Sequence, residues 1–105
     1  MTQQLYPDIR LVFGLMEECH WCNKFKIETL PMIKALGIRY QVIKNEVHLE
    51  KYEAPEYGYP FIAICDSRGY PLHKHGGHQN LSEVLENINK VYEEHFPGKN
   101  KNVKR

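Results

Sequence analysis

Arg10-Leu11-Val12-Phe13-Gly14-Leu15-Met16-Glu17-Glu18-Cys19-His20-Trp21-Cys22 carries an apolar run of strand length almost directly into two cysteines separated by two residues. Thiols at that spacing can close into a reversible disulfide and exchange it, so the motif reads first as redox-active. From Asn23 to Leu36, Phe25, Leu30, Ile33 and Leu36 recur at roughly helical spacing, and Gly37 suits the close of a helix. Cys19 therefore falls at a strand-to-helix junction, where the helix N-terminus favours a thiolate over a thiol. The thiol at the helix start faces solvent and is the expected nucleophile. Cys22, one turn inside, is the expected resolving thiol. Pro31 lies within the helical stretch and predicts a kink.

Outward from this junction, Ile9 to Met16 reads as an interior strand, whereas Ile38, Tyr40 and Val42 alternate with Arg39 and Gln41 as in a strand nearer a sheet edge. Strand, helix and strand in succession predict a right-handed crossover. Asn45 is placed to cap a second helix running to about Glu53, with Pro55 opposing its continuation. Phe61-Ile62-Ala63-Ile64-Cys65 is a second interior strand, Asp66 to Gly69 a turn, and Tyr70 to His75 the hairpin partner. Asn80 with Glu83 forms a capping-box pattern ahead of a stripe of Leu81, Val84, Leu85, Ile88, Val91 and Tyr92. The order is β-α-β-α-β-β-α, an α/β chain with a mixed four-stranded sheet flanked by helices.

A chain of 105 residues with 42% hydrophobic content suits one core, expected over residues 1–96, with 97–105 as a disordered basic tail. The net charge is +1, from 14 basic and 13 acidic residues, which points to neither nucleic acid nor an anionic membrane. The first twenty residues lack a secretory pattern and no run is long enough to span a bilayer, so a cytoplasmic, monomeric protein is expected. In a reducing compartment a close cysteine pair is catalytic or metal-binding rather than a structural framework. His73, His75 and His78 could join Cys19 and Cys22 around zinc, but a distant His-x-His is poor spacing for such a site, and a solvated hairpin face accounts for them more simply. Metal is therefore not expected. Cys65, in an apolar strand, reads as a small buried hydrophobe.

Three ordered segments, over Ile9 to about His95, resemble the thioredoxin fold in its small, glutaredoxin-sized form. Besides the cysteine pair, Tyr57-Gly58-Tyr59-Pro60-Phe61-Ile62 is similar to the segment in which that family carries a cis-proline. Gly76-Gly77-His78-Gln79-Asn80-Leu81 is similar to the Gly-Gly turn of glutaredoxins and small bacteriophage-type thioredoxins. The resemblance implies exchange of protein disulfides by catalytic Cys19 and Cys22, with His20, Trp21, Tyr59, Pro60, Gly76 and Gly77 tuning the site and docking the target. It implies no bound cofactor, a thioredoxin reductase or glutathione as electron donor, and ribonucleotide reductase as one acceptor. Departures accompany the matches. The first-strand aspartate of thioredoxins is replaced within Val12-Phe13-Gly14, Glu17 and Glu18 precede the first cysteine, and neutral Gln79 and Asn80 follow the glycines. Two acidic groups beside Cys19 would repel the carboxylates of glutathione, so a dedicated glutathione site is disfavoured. A binding module without turnover and an oxidase or isomerase remain alternatives.

Overall fold

Ile9, Leu11 and Phe13 point to one side of a strand and Val12 to the other, and all four are buried, so this strand must have cover on both faces. In the computed structural model, which describes residues 3–104, it is the central strand β2 (Ile9–Gly14), preceded by a short β1 (Gln3–Leu5). β3 (Tyr40–Ile43) lies parallel to β2, with Leu11 opposite Tyr40. β4 (Phe61–Asp66) lies antiparallel on the other side, with Gly14 opposite Phe61, and β5 (Pro71–Gly76) completes the hairpin. The sheet order is β3-β2-β4-β5, which makes β2 and β4 interior and β3 an edge, as the alternation of its side chains predicts.

On one face, α1 (His20–Glu28), α2 (Leu30–Ala35) and α5 (Leu81–His95) contribute Cys22, Phe25, Ile33, Val84, Ile88, Val91 and Tyr92 to the core. On the other, α3 (Glu46–Leu49), a 3-10 turn (Glu50–Tyr52) and α4 (Ala54–Tyr57) cover Val12, Phe61, Ala63 and Cys65 with Leu49, Tyr52 and Ala54. Asn80 and Glu83 form the reciprocal capping box that opens α5, with bonds of 2.9 and 3.0 Å.

Three expectations need correction. The first helix begins at His20, three residues earlier than its apolar periodicity suggests, and it is divided at Thr29 rather than kinked at Pro31. Thr29 is fully buried, and its Oγ1 donates to the Gln79 carbonyl at 2.8 Å. Pro31 then sits in the first turn of α2, where its missing N–H costs nothing. The second helical segment ends at Glu53 as expected, where a φ of 62° turns the chain left-handed, and Pro55 then lies in the first turn of a further short helix, α4. Residues 97–104 are not a disordered tail: β6 (Asn102–Lys104) pairs antiparallel with β1. A polar segment cannot add to a core, but ladder bonds between the two backbones satisfy its donors and acceptors without one. Tyr92 anchors the approach, its hydroxyl accepting from the Asp8 amide at 3.0 Å and donating to the Asp8 carboxylate at 3.1 Å. Met1, Thr2 and Arg105 lie outside the described residues.

Thr29→Val keeps the shape of the buried side chain but leaves the Gln79 carbonyl without its donor. It is expected to cost about 1–3 kcal/mol. Urea denaturation measures this, and an unchanged midpoint would remove the bond from the account of the fold.

Candidate active site

β2 ends at Gly14 and the chain reaches Cys19 within five residues, so the cysteine pair is set by the end of the central strand. Cys19 is the N-cap of α1, in extended conformation, and its Sγ accepts from the Cys22 amide at 3.2 Å. A sulfur thus occupies the place usually held by a Ser or Asp oxygen. The two thiols differ sharply in environment: Cys19 is partly exposed and Cys22 fully buried. Burial, aided by hydrogen bonding to Cys19, pushes the Cys22 thiol up to about 11, against the opposing influence of the Met16 backbone and Lys26. No carboxylate stands on β2 to take its proton. Phe13 packs on Phe25, with ring centroids 5.0 Å apart, and Val12 belongs to the other face.

The Tyr59-Pro60 peptide bond is cis. Tyr59 packs against the cluster that contains Cys22, and its hydroxyl donates to Glu46 Oε2 at 3.2 Å. Burial, then this bond, pushes the Tyr59 phenol up to about 12. The Pro60 carbonyl accepts from the Gly77 amide at 2.9 Å, joining the two loops. Gly76 has no room for a side chain, since a Cβ there would stand 1.8 Å from the Tyr57 carbonyl oxygen. Gly77 follows with φ of 111°, which glycine adopts readily. Both glycines are thus required by the backbone as it folds here.

Trp21 is half-exposed beside the thiols. Lys24 Nζ lies 5.1 Å from its ring centroid, His20 meets it edge-on at 5.4 Å, and His78 lies 5.9 Å away. Trp21, Gly77 and His78 line one shallow open groove. His78 as a groove residue was not legible from the sequence, where it reads only as one of three hairpin histidines; its place directly after the Gly-Gly turn is the signal available. Glu46 also went unread, because its link to Tyr59 spans thirteen residues.

Other candidates are not brought here. His73 is half-buried on β5, and burial, then His75, lowers its pKa. Among the described residues no three His, Cys, Asp or Glu side chains converge as a metal site. Gln79 is buried, its Oε1 3.4 Å from Asn87 Nδ2, and Asn80 is engaged in capping α5. Cys65 lies within the other cluster, where burial pushes its thiol up to about 11.

A four-stranded mixed sheet between helical layers, with a Cys-x-x-Cys pair capping the first long helix and a cis-proline opening an interior strand, defines the thioredoxin fold. Solved structures bear this out. The reduced thioredoxin pre-protein of Schistosoma mansoni matches with a TM-score of 0.62 at 16% identity, over 80% of this chain and 79% of that one. Thioredoxin of Fasciola hepatica matches with 0.62 at 17% identity, over 80% and 81%. A DsbH oxidoreductase matches with 0.61 at 13% identity, over 82% and 73%. No family model and no curated protein matches the sequence.

Gly76→Ala forces the Tyr57 carbonyl aside and should destabilise the fold by at least about 1–3 kcal/mol, read from the urea midpoint; a wild-type midpoint would contradict the contact. Cys22 and Cys65 both titrate near 11 in the folded chain, above the ordinary 9.0. The stability they contribute is therefore complete below the ordinary value and is lost as pH rises through about 11. The alkaline fall in thermal midpoint should be shallower in Cys65→Val, and an identical slope would refute the assignment.

Proposed function

We propose that the chain is a dithiol–disulfide oxidoreductase acting on protein disulfides through Cys19 and Cys22. The observation that carries this is the asymmetry of the pair: a partly exposed N-cap sulfur, hydrogen-bonded by the amide of a fully buried second cysteine. Only Cys19 is open to attack a target. Its thiolate bonds to one target sulfur and expels the other as a thiolate. Cys22, deprotonated, then attacks the Cys19 sulfur and releases the first target sulfur, leaving Cys19–Cys22 oxidised and the target reduced by two electrons. The raised pKa of Cys22 keeps it a thiol until that second step, which favours capture of the target over premature closure.

The names of the structural neighbours, thioredoxins and an oxidoreductase, agree with this chemistry. Trp21 with Gly77 and His78, and the Tyr59-Pro60 backbone, are the proposed docking surface. A thioredoxin reductase is favoured over glutathione as the electron donor. Gln79 and Asn80 are spent on Asn87 and on the cap of α5, and exposed Glu17 and Glu18 stand beside Cys19. Ribonucleotide reductase as an acceptor, a cytoplasmic setting and a monomeric state complete the proposal. The half-exposed Trp21 favours one second reading, a binding module that holds a partner without turnover.

Insulin-disulfide reduction distinguishes the two. Turnover in the wild type, its loss in Cys19→Ser, and a trapped mixed disulfide in Cys22→Ser are expected. Wild-type inactivity with partner binding kept in Cys19→Ser would establish the module. His20 follows Cys19 directly and meets Trp21 edge-on; in its protonated form it is expected to raise the reduction potential, because a cation near the thiolate stabilises the reduced form. Equilibration of His20→Ala with a glutathione buffer should give a lower potential, and an unchanged one would remove His20 from that role.

A further inference from the structure

The wall that faces the dithiol forms where α4 and the loop after it meet the end of β5. Gly76 yields its Cβ position to the Tyr57 carbonyl, and the Gly77 amide bonds to the Pro60 carbonyl at 2.9 Å. Both contacts depend on how α4 lies against β5. α4 has only four residues, too few to hold a course by its own helical bonds. It also starts from Glu53, whose φ of 62° is left-handed, a conformation that a residue with a Cβ adopts at a cost. Its place has to be set from outside the helix.

Lys74, within β5, reaches it. Lys74 stands opposite Ala63 of β4, which is buried in one cluster with Leu49, Tyr52 and Ala54, so its side chain lies on the α4 face of the sheet. The stem is largely covered, with 17% of the side chain exposed, and the ammonium lies 2.8 Å from Glu53 Oε1. The same Nζ is 5.6 Å from the centroid of the Tyr57 ring, which meets Phe61 edge-on at 5.9 Å. One cation on β5 therefore holds both the residue before α4 and the residue that ends it. Glu53 is open to water, so the ion pair contributes little to stability. Its effect is positional, because the last residue of α4 carries the carbonyl that lies against Gly76.

We infer that Lys74 is a positioning residue for the target-docking wall, fixing the Tyr57-to-Pro60 and Gly76-Gly77 backbones relative to one another. The inference rests on the reading of that wall as the docking surface for protein disulfides. Lys74 acts through α4 and takes no part in the exchange itself. A protein target, which lies along the wall, feels its loss; a small disulfide, which needs only Cys19, does not.

Kinetics of Lys74→Met, which keeps the stem and removes the charge, test this beside Lys74→Arg. In Lys74→Met the KM for insulin should rise at least about threefold with kcat kept, the signature of lost uniform binding. Single-turnover oxidation of the reduced variant by hydroxyethyl disulfide should run at the wild-type rate. Lys74→Arg, able to bond Glu53 and face Tyr57, should restore the insulin KM, and Glu53→Gln should raise it. Amide NMR of the reduced protein reads the wall without turnover: Lys74→Met should shift Gly58, Tyr59, Gly76 and Gly77 and leave Cys19 and Cys22 in place. An unchanged insulin KM, an equal loss with both disulfides, or unshifted Gly76 and Gly77 amides would each overturn the inference. Wild-type inactivity towards both disulfides would instead refute the oxidoreductase reading, and the amide shifts alone would then decide the positioning.

Discussion

Everything in this molecule depends on β2 being buried on both faces. Its alternate side chains belong to two separate apolar clusters, so helices must lie above and below the sheet, and the strand has no solvent edge along which to drift. That fixed strand ends where the cysteine loop begins. The position of Cys19 is thereby tied to the most constrained element of the fold, while its neighbours Glu17, Glu18, His20 and Trp21 stay exposed. A reactive group on a short leash from a rigid strand keeps its geometry without needing a rigid loop.

The same arrangement separates the two thiols by environment over a distance of one helical turn. The helix start lies at the surface and the first inward position lies in the core, so one cysteine is partly open to solvent and the other belongs to the apolar cluster that also holds Phe13, Phe25 and Ile62. Burial at the inward position is the main cause that raises the pKa of the Cys22 thiol. The facing wall is set by backbone rather than side chains: Gly76 yields its Cβ to Tyr57, and Gly77 reaches Pro60.

How much of this could be read in advance followed from the range of the interactions involved. The apolar runs Ile9 to Met16 and Phe61 to Cys65, the α5 stripe and the capping box at Asn80 are local patterns, and each is present in the structure within a few residues. The thioredoxin fold followed from them together with the Cys19–Cys22 spacing. What escaped was carried by distant partners. Thr29 is held by Gln79 fifty residues on, Glu46 meets Tyr59 through space, and β6 exists because β1 lies beside it. No window of sequence contains both members of such a pair. The break near Pro31 is of a related kind: proline forbids the helix interior but suits its first turn, and only the preceding residue's conformation decides which applies.

The break at Thr29 gives the groove a single tie. α1 spans about 13 Å, with Thr29 at one end and Cys19 at the other. The Thr29 end is bonded to the Gln79 carbonyl, next in the chain to His78. One buried hydrogen bond therefore joins the helix that carries Trp21 to the loop that carries Gly77 and His78, so the two walls of the groove share a fixed point outside the groove itself.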